Sequence, residues 1–146
     1  MAKTAAFLSK EEEQEIVQAI VEAEKNTSGE VRVHIEKHSN KTPLERAQEV
    51  FFELKMEATN DRNGVLFYVS VTDKKFAIIG DQGINELVAT DFWDTTKEIV
   101  IAHFKNGNFK TGLVEGILSA GNQLKAYFPY QSDDEDELSN EISKSE

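Results

Sequence analysis

The most strongly apolar part of the chain is residues 65–71, where almost every position is aliphatic or aromatic. An unbroken run of this length is typical of a strand that is covered on both faces. Residues 72–75 supply turn-forming side chains, and residues 76–79 have the composition of a second strand returning antiparallel to the first. We therefore predict that the fold is organised around a buried central strand at residues 65–71.

Two capping boxes mark the starts of helices, one at Ser9 and one at Thr42, each with a glutamate three residues later. Apolar residues follow both boxes at helical spacing, so we predict helices at residues 9–25 and 43–57. Between them, residues 30–38 alternate apolar with polar side chains, which is the period of a half-buried strand. A helix, a strand and a second helix thus precede the central strand.

The order of these elements predicts the architecture. A strand, a helix and a second strand form a βαβ unit, in which the strands are parallel and the crossover is right-handed. An antiparallel strand at residues 75–80 extends this unit into a small mixed sheet. Helical spacing returns in three later segments, at residues 84–88, 92–106 and 111–128. We predict a single α/β domain over residues 1–130, an α/β/α sandwich with helices flanking the sheet.

Charge narrows the range of partners. The formal net charge is −11, from 16 basic and 27 acidic residues. Residues 131–146 are acidic and lack apolar periodicity, so we expect a flexible acidic tail there. Nucleic acid is bound through clustered Lys and Arg, and here the basic residues are scattered. We expect divalent cations or a basic protein as partners, and no nucleic acid.

Features that the chain lacks argue against cysteine-based sites, secretion and insertion into a membrane. It has no cysteine, which excludes disulfides, thiolate metal sites and cysteine nucleophiles. No secretion signal is visible at the N-terminus, and no apolar run reaches membrane-spanning length. We therefore expect a cytoplasmic protein without a membrane partner, in which any metal ligands are oxygen or histidine.

Three carboxylates flank the predicted strands. Glu30 precedes the first strand, Asp61 precedes the second, and Asp81 follows the third. Because parallel strands start at the same end of a sheet and the antiparallel strand finishes there, we expect these side chains to converge. Calcium and magnesium prefer such oxygen ligands. The pattern predicts a calcium site, with magnesium as the alternative metal and with Asp91 and Asp94 as further candidate ligands.

Each of these carboxylates also has an explanation without metal. The aspartates can serve as turn or capping residues, and Glu30 can form an ion pair with Arg62. His34 and His38 lie about 13 Å apart along a strand, too far to share one metal, and we expect both at the surface. The residue pattern leaves the metal and metal-free alternatives open.

A phosphate site is a further hypothesis for the same end of the sheet. Gly80 and Gly83 flank Asp81 before a predicted helix, whose free N–H groups could hold an anion beside Arg62. The chain contains neither the Gly-x-x-x-x-Gly-Lys-Ser/Thr loop nor the Gly-x-Gly-x-x-Gly motif of nucleotide-binding proteins. It also has no cysteine that could act as a nucleophile. A phosphatase here would use Asp81, Arg62 and a metal-activated water.

Five blocks of the sequence resemble successive blocks of the TPM domain family and together cover nearly the whole chain. They are Ser-Gly-Glu-Val-Arg at 28–32, Arg-Asn-Gly-Val-Leu at 62–66, Phe-Ala-Ile-Ile-Gly-Asp-Gln-Gly-Ile at 76–84, Phe-Trp-Asp at 92–94 and Gly-Leu-x-x-Gly at 112–116. The resemblance implies an α/β sandwich. Plant members have been associated with calcium and with acid phosphatase activity.

Three functional hypotheses result. The first is a soluble protein that binds a divalent cation, calcium before magnesium, through carboxylates at one end of the sheet. The resemblance also implies the alternative of a metal-dependent acid phosphatase, a phosphomonoester hydrolase with a phosphate ester as its substrate. The third hypothesis is an adaptor whose acidic tail contacts a basic protein.

Overall fold

The computed structural model describes residues 8–130 and 140–145, which form a four-stranded mixed sheet flanked by helices. This is the α/β sandwich that the sequence predicts. None of the described helices has the length and apolarity needed to cross a membrane. In chain order the elements are α1 (Lys10–Glu24), β1 (Glu30–Glu36), α2 (Pro43–Glu53), β2 (Gly64–Ser70), β3 (Lys75–Gly80), α3 (Gln82–Asn85), α4 (Asp94–Lys105), α5 (Phe109–Leu124) and β4 (Ser143–Ser145).

Strand β2 is central to the sheet, whose order is β3-β2-β1-β4. It pairs in parallel with β1, where Glu30 lies opposite Gly64, and antiparallel with β3, where Ser70 lies opposite Lys75. Every residue of β2 is buried. The predicted βαβ unit and the antiparallel third strand are therefore confirmed, and the most apolar segment of the chain has neighbours on both edges and both faces.

The sheet separates two apolar cores. The larger core lies between the sheet and helices α1, α4 and α5, and includes the buried side chains of Ile20, Phe67 and Leu113. The smaller core lies under α2 and includes Leu66 and Tyr68. Successive side chains of a strand point to opposite faces, so adjacent residues of β2 belong to different cores.

Both capping boxes form as predicted and fix the starts of α1 and α2. The Ser9 hydroxyl accepts the Glu12 N–H at 3.1 Å, and the Glu12 carboxylate accepts the Ser9 N–H at 2.9 Å. Thr42 and Glu45 make the same reciprocal pair, and Pro43 is the first residue of α2. These bonds satisfy backbone N–H groups that the start of a helix leaves without a partner.

The C-terminal segment differs from the flexible tail that the sequence predicts for residues 131–146. Its described part, residues 140–145, contains β4, which pairs in parallel with β1. Residues 131–139 and residue 146 lie outside the described residues. A strand of three residues is too short to carry an alternating pattern, so hydrophobic periodicity could not reveal it.

Side-chain contacts hold β4 at the edge of the sheet. Ile142, just before the strand, packs against the larger core. Ser143 lies opposite His34 in the ladder, and its hydroxyl oxygen is 2.9 Å from His34 Nδ1. Lys144 forms an ion pair with Glu13 of α1 at 2.7 Å. The acidic end of the chain therefore contributes apolar, hydrogen-bonded and ionic contacts to the domain.

Helix α5 approaches its neighbours closely because glycines face them. A Cβ atom at Gly116 would lie 2.4 Å from Val100 Cγ2 on α4, and a Cβ atom at Gly121 would lie 2.9 Å from Ala23 Cβ on α1. Both separations are shorter than real Cβ contacts. The distances from α5 to α4 and to α1 therefore depend on the absence of side chains at these positions.

The substitution Gly116→Ala tests this packing. On an exposed helix face the change would stabilise the protein by about 1 kcal/mol. At Gly116 we expect the opposite sign, because overpacking of a well-filled core costs about 1–3 kcal/mol and Val100 is fully buried. Urea denaturation measures the free energy of unfolding. The exposed control Asn122→Ala on the same helix should change it by less than about 0.5 kcal/mol, and an equally stable Gly116→Ala protein would contradict the prediction.

Candidate functional site

Asp81 and Arg62 form a bidentate ion pair at the end of the sheet where the parallel strands begin. Arg62 Nε donates to Asp81 Oδ2 at 2.7 Å and Nη2 donates to Oδ1 at 2.8 Å. Asp81 is also the N-cap of α3, since its Oδ1 accepts the Gln82 N–H at 2.7 Å. The capping explanation of Asp81 is therefore confirmed, and Asp81 is also the carboxylate that forms the bidentate pair with Arg62.

The backbone around this pair is tightly constrained. Arg62 has a left-handed conformation with φ of 51°, which costs a residue with a side chain about 1–2 kcal/mol. The Gly83 N–H donates to the Arg62 carbonyl at 2.8 Å. A Cβ at Gly83 would lie only 2.1 Å from the Asp61 carbonyl oxygen. Glycine at position 83 thus lets the loop before β2 reach α3, which brings the guanidinium to the carboxylate.

The other predicted metal ligands lie in separate segments of the chain. Glu30 is buried at the start of β1, and its N–H donates to the Asn63 carbonyl at 3.3 Å. Asp61 is exposed in the loop before β2, and Asp91 and Asp94 are exposed before and at the start of α4. Among the residues that the structure describes, no group of three or more Asp, Glu or His side chains is arranged to hold a metal ion.

Two further oxygen atoms in the loop between α2 and β2 stand out. Glu57 Oε2 and Thr59 Oγ1 are buried and have no hydrogen-bond partner within the described chain. The pKa of Arg62 is raised, first by its hydrogen bond to Asp81 and further by the negative charges of Glu57 and Glu86. The guanidinium is thus surrounded by acidic groups, and sequence periodicity singled out neither Glu57 nor Thr59.

Beside the Arg62 pair lies a cleft of about 570 Å³ between α2, β3 and α3. Its wall includes the Asp81 and Glu86 carboxylates and the exposed side chains of Leu44 and Phe52. The cleft is open to solvent, so the ion pair between Arg62 and Asp81 lies next to an accessible surface.

A second polar cluster, which the sequence did not indicate, is centred on the buried carboxylate of Glu36. Arg46 on α2 donates from Nε to Glu36 Oε2 at 2.9 Å and from Nη2 to Oε1 at 3.0 Å, and the Tyr68 hydroxyl donates to the same group. Burial alone would raise the pKa of Glu36, but the hydrogen bonds from Arg46 and Tyr68 outweigh it and lower that pKa. Burial and the neighbouring carboxylate raise the pKa of Tyr68.

His34 belongs to this cluster, and the expectation that it lies at the surface is wrong. The side chain is 4% exposed and its ring stacks on Tyr68 with centroids 6.1 Å apart. Burial lowers its pKa, although Glu36 opposes this effect. The alternating pattern identified the polar face of β1 correctly. It could not show that α2 covers that face or that β4 pairs along the edge of β1 beside His34.

His38 is exposed as predicted and belongs to a different network. Its Nδ1 is 2.8 Å from Asp73 Oδ1, and its Nε2 is 2.9 Å from Asn40 Oδ1. These contacts, led by Asn40, raise the pKa of His38. Hydrogen bonds from the Ser70 hydroxyl and the Ser39 N–H, joined by His38, lower the pKa of Asp73 to about 2.

The fold and this arrangement define a class: a single α/β sandwich whose sheet ends carry charged side chains. The sequence model of the TPM domain matches residues 1–123, and the chain belongs to that family. Among the curated proteins, none matches the chain.

The solved structures that resemble the chain include three NMR structures. The BA42 protein of the psychrophilic bacterium Bizionia argentinensis, solved by NMR, is 56% identical, with a TM-score of 0.92 over 99% of this chain and 100% of that one. An N-terminal domain from P. gingivalis is 17% identical, with a TM-score of 0.67 over 87% of this chain and 83% of its own. The N-terminal domain of cg2496 from Corynebacterium glutamicum is 12% identical, with a TM-score of 0.64 over 95% and 80%. The last two show the fold alone.

His34 and His38 should titrate on opposite sides of 6.5, the ordinary pKa of histidine. We expect His34 below that value, because burial disfavours its charged form, and His38 above it, because Asn40 and Asp73 favour the imidazolium. An NMR pH titration of the ring resonances measures both values. Asp73→Asn should bring the pKa of His38 closer to 6.5 and leave His34 unchanged. Equal pKa values in the native protein would contradict the burial of His34.

The same shifts fix the sign of the pH dependence of stability. His38 has a raised pKa, so its contribution is complete below about pH 6.5 and is lost as pH rises through its folded pKa. His34 has a lowered pKa, so its contribution is present above about pH 6.5 and is lost as pH falls toward its folded pKa. Asp73 has a pKa of about 2, so its contribution is lost in acid as pH falls below about 4 toward that value.

Proposed function

We propose that the protein binds a divalent cation, calcium before magnesium, at the acidic end of the sheet beside the Arg62 and Asp81 pair. The observation that carries the proposal is the pair of buried oxygens, Glu57 Oε2 and Thr59 Oγ1, that lack hydrogen-bond partners within the described chain. Leaving a buried polar atom unsatisfied costs about 1–3 kcal/mol. A cation and its water molecules would satisfy both.

The charges around the loop support a cation. Arg62 neutralises Asp81, whereas Glu57 and Asp61 form no ion pair with any described residue. Glu86 adds a further negative charge close enough to affect Arg62. Glu57 and Asp61 lie four residues apart in one loop. Many calcium sites are built in the same way, from the residues of one continuous loop.

Calcium suits this loop better than magnesium does. Calcium accepts six to eight oxygen ligands in irregular geometry, including carbonyls and water, whereas magnesium requires a near-ideal octahedron. The described carboxylates do not form a cluster of three or more that could hold a metal ion by themselves. Water molecules would therefore provide much of the coordination. We therefore propose weak binding, with a dissociation constant on the order of 10⁻⁴ to 10⁻³ M, the range of open extracellular-type modules.

The phosphatase alternative has less support at this end of the sheet. The Nε and Nη2 donors of Arg62 are occupied by Asp81, so a phosphate would have to displace a bidentate carboxylate. His38 lies beyond the opposite end of β1, and His34 is enclosed by Tyr68 and β4. Neither strand histidine is placed to act as a general base here. We rank cation binding above hydrolysis for this reason.

The adaptor alternative depends on the acidic tail. Most of the tail's carboxylates belong to residues 131–139, which lie outside the described residues. The described Lys144 instead contacts Glu13 within the same chain. Cation binding therefore remains the proposal for this domain.

A calcium titration of the EDTA-treated, ¹⁵N-labelled protein tests the proposal. We expect saturable shifts of amide resonances at residues 57–62 and 81–86. Binding to the native state alone adds about 1.4 kcal/mol of stability at a tenfold excess over the dissociation constant, which raises the melting temperature. Magnesium should produce the same pattern at higher concentrations.

Variants separate a site from diffuse counter-ion binding. Glu57→Gln and Asp61→Asn should each weaken calcium binding about tenfold or more, because each removes a charged ligand. The matched control Glu98→Gln removes the same charge from the exposed face of α4 and should leave binding unchanged. Shifts spread over all acidic surface residues, equally weakened by all three variants, would refute the site.

A further inference from the structure

A cavity of about 540 Å³ lies at the opposite end of the sheet from Asp81. It opens where β2 ends and β3 begins, beside the end of α4 and the start of α5. Ligand pockets of small-molecule size occupy about 300–1,000 Å³. In open α/β sheets, ligands bind outside the carboxyl ends of the parallel strands. The cavity therefore has both the size and the position of a ligand site.

The interior of the cavity is apolar and largely aromatic. Phe76 on β3 lies 5.8 Å from Phe104 on α4, and Phe104 lies 5.1 Å from Phe109 on α5, measured between ring centroids. Phe76 also contacts Phe67 of the larger core at 5.9 Å. Aromatic side chains from three elements thus form one wall that is anchored in the core. Ile101, which is 41% exposed, contributes an aliphatic edge at the surface.

The rim of the cavity is basic in a chain of net charge −11. Lys74, Lys75 and Lys105 line it, all three are exposed, and none forms an ion pair with a described residue. No described acidic residue is among those that line the cavity. By contrast, Lys41, Lys110 and Lys144 each pair with a glutamate. The lysines at the rim are thus left available to a negatively charged ligand.

The start of α5 adds to this positive potential. Helix α5 begins at Phe109, a lining residue, and its N-cap residue Asn108 makes no side-chain capping bond. The N-terminus of a helix of this length carries a partial positive charge. Gly107 stands at the mouth with φ of 77°, and a Cβ there would meet no atom within 4 Å. The entrance is therefore both open and favourable to an anion.

We propose that this cavity binds a small amphipathic carboxylate, with its apolar tail against the aromatic wall and its carboxylate at the lysine rim. An aliphatic tail matches the apolar lining through burial alone. A single carboxylate matches lysine ammonium groups, which act as flexible point charges. Among the described residues that line the cavity there is no arginine, the residue whose planar fork favours bidentate recognition of phosphate. This site is separate from the proposed cation loop, because the two lie at opposite ends of the sheet.

Octanoate is the probe that tests the proposal, in buffer containing EDTA so that the outcome does not depend on calcium. Amide shifts of the ¹⁵N-labelled full chain should be saturable and should map to residues 69–76 and 101–110. Acetate has the same head group and no tail, and it should bind at least about a hundredfold more weakly. Octyltrimethylammonium has the same tail with the opposite charge and should not produce the pattern. Equal binding of octanoate and octyltrimethylammonium would overturn the proposal.

Paired variants test the two halves of the site. Lys105→Glu should weaken octanoate binding about tenfold or more by reversing one charge at the rim, whereas Lys125→Glu makes the same change at another exposed lysine and should have no effect. Ile101→Gln should weaken binding by removing the apolar edge, whereas Leu118→Gln changes a comparably exposed residue on α5 and should not. All four positions are exposed, and the melting temperature of each variant verifies that it is folded. Equal effects within either pair would refute the site.

The acidic segment of the chain itself is the competing occupant. A variant in which Asp133, Asp134 and Asp136 are replaced by Asn separates the two cases. If octanoate binds the native chain and this variant equally, the cavity is open to an external ligand, as proposed. If octanoate binds only the variant, the chain's own acidic segment fills the cavity and the proposal is wrong.

Discussion

The burial of β2 on all sides is the constraint on which the rest of the structure depends. Every one of its residues is buried, so helices must cover both faces of the sheet and a strand must pair with each edge. The parallel neighbour β1 requires a crossover, which α2 provides while covering Leu66 and Tyr68. The antiparallel neighbour β3 leaves α4 and α5 to cover Phe67 on the other face. Two cores of unequal size result from one apolar segment.

The elements of the fold could be predicted because their signals are local. The capping boxes at Ser9 and Thr42, the apolar run of β2 and the alternation of β1 all depend on neighbouring residues. The Glu36 cluster could not be predicted, because the partner of a buried carboxylate comes from another element: Arg46 reaches it from α2. His34 is buried for a similar reason, since a strand pattern identifies a polar face and does not identify what packs on it.

The candidate sites differ in how far topology alone could locate them. Strand order was enough to predict that Asp81 and Arg62 lie at one end of the sheet. Their pairing depends on backbone details, the left-handed conformation of Arg62 and the contact of Gly83 with the preceding loop, which no spacing rule encodes. The lysine rim at the other end was missed because Lys105, at the end of α4, is distant in the chain from the adjacent Lys74 and Lys75. The two ends of the sheet thus differ in charge, one acidic around the loop before β2 and one basic around the turn before β3.

The pairing of β4 with β1 has a consequence for folding during synthesis. The contact between His34 and Ser143 spans 109 residues, so the outer edge of β1 at residues 34–36 has no partner strand until the ribosome has added them. At about 5–20 residues per second, this interval lasts roughly 5–20 s. During that time the nascent chain exposes a strand edge that could pair with another molecule. A short final strand can therefore protect the domain by covering part of this edge once synthesis is complete.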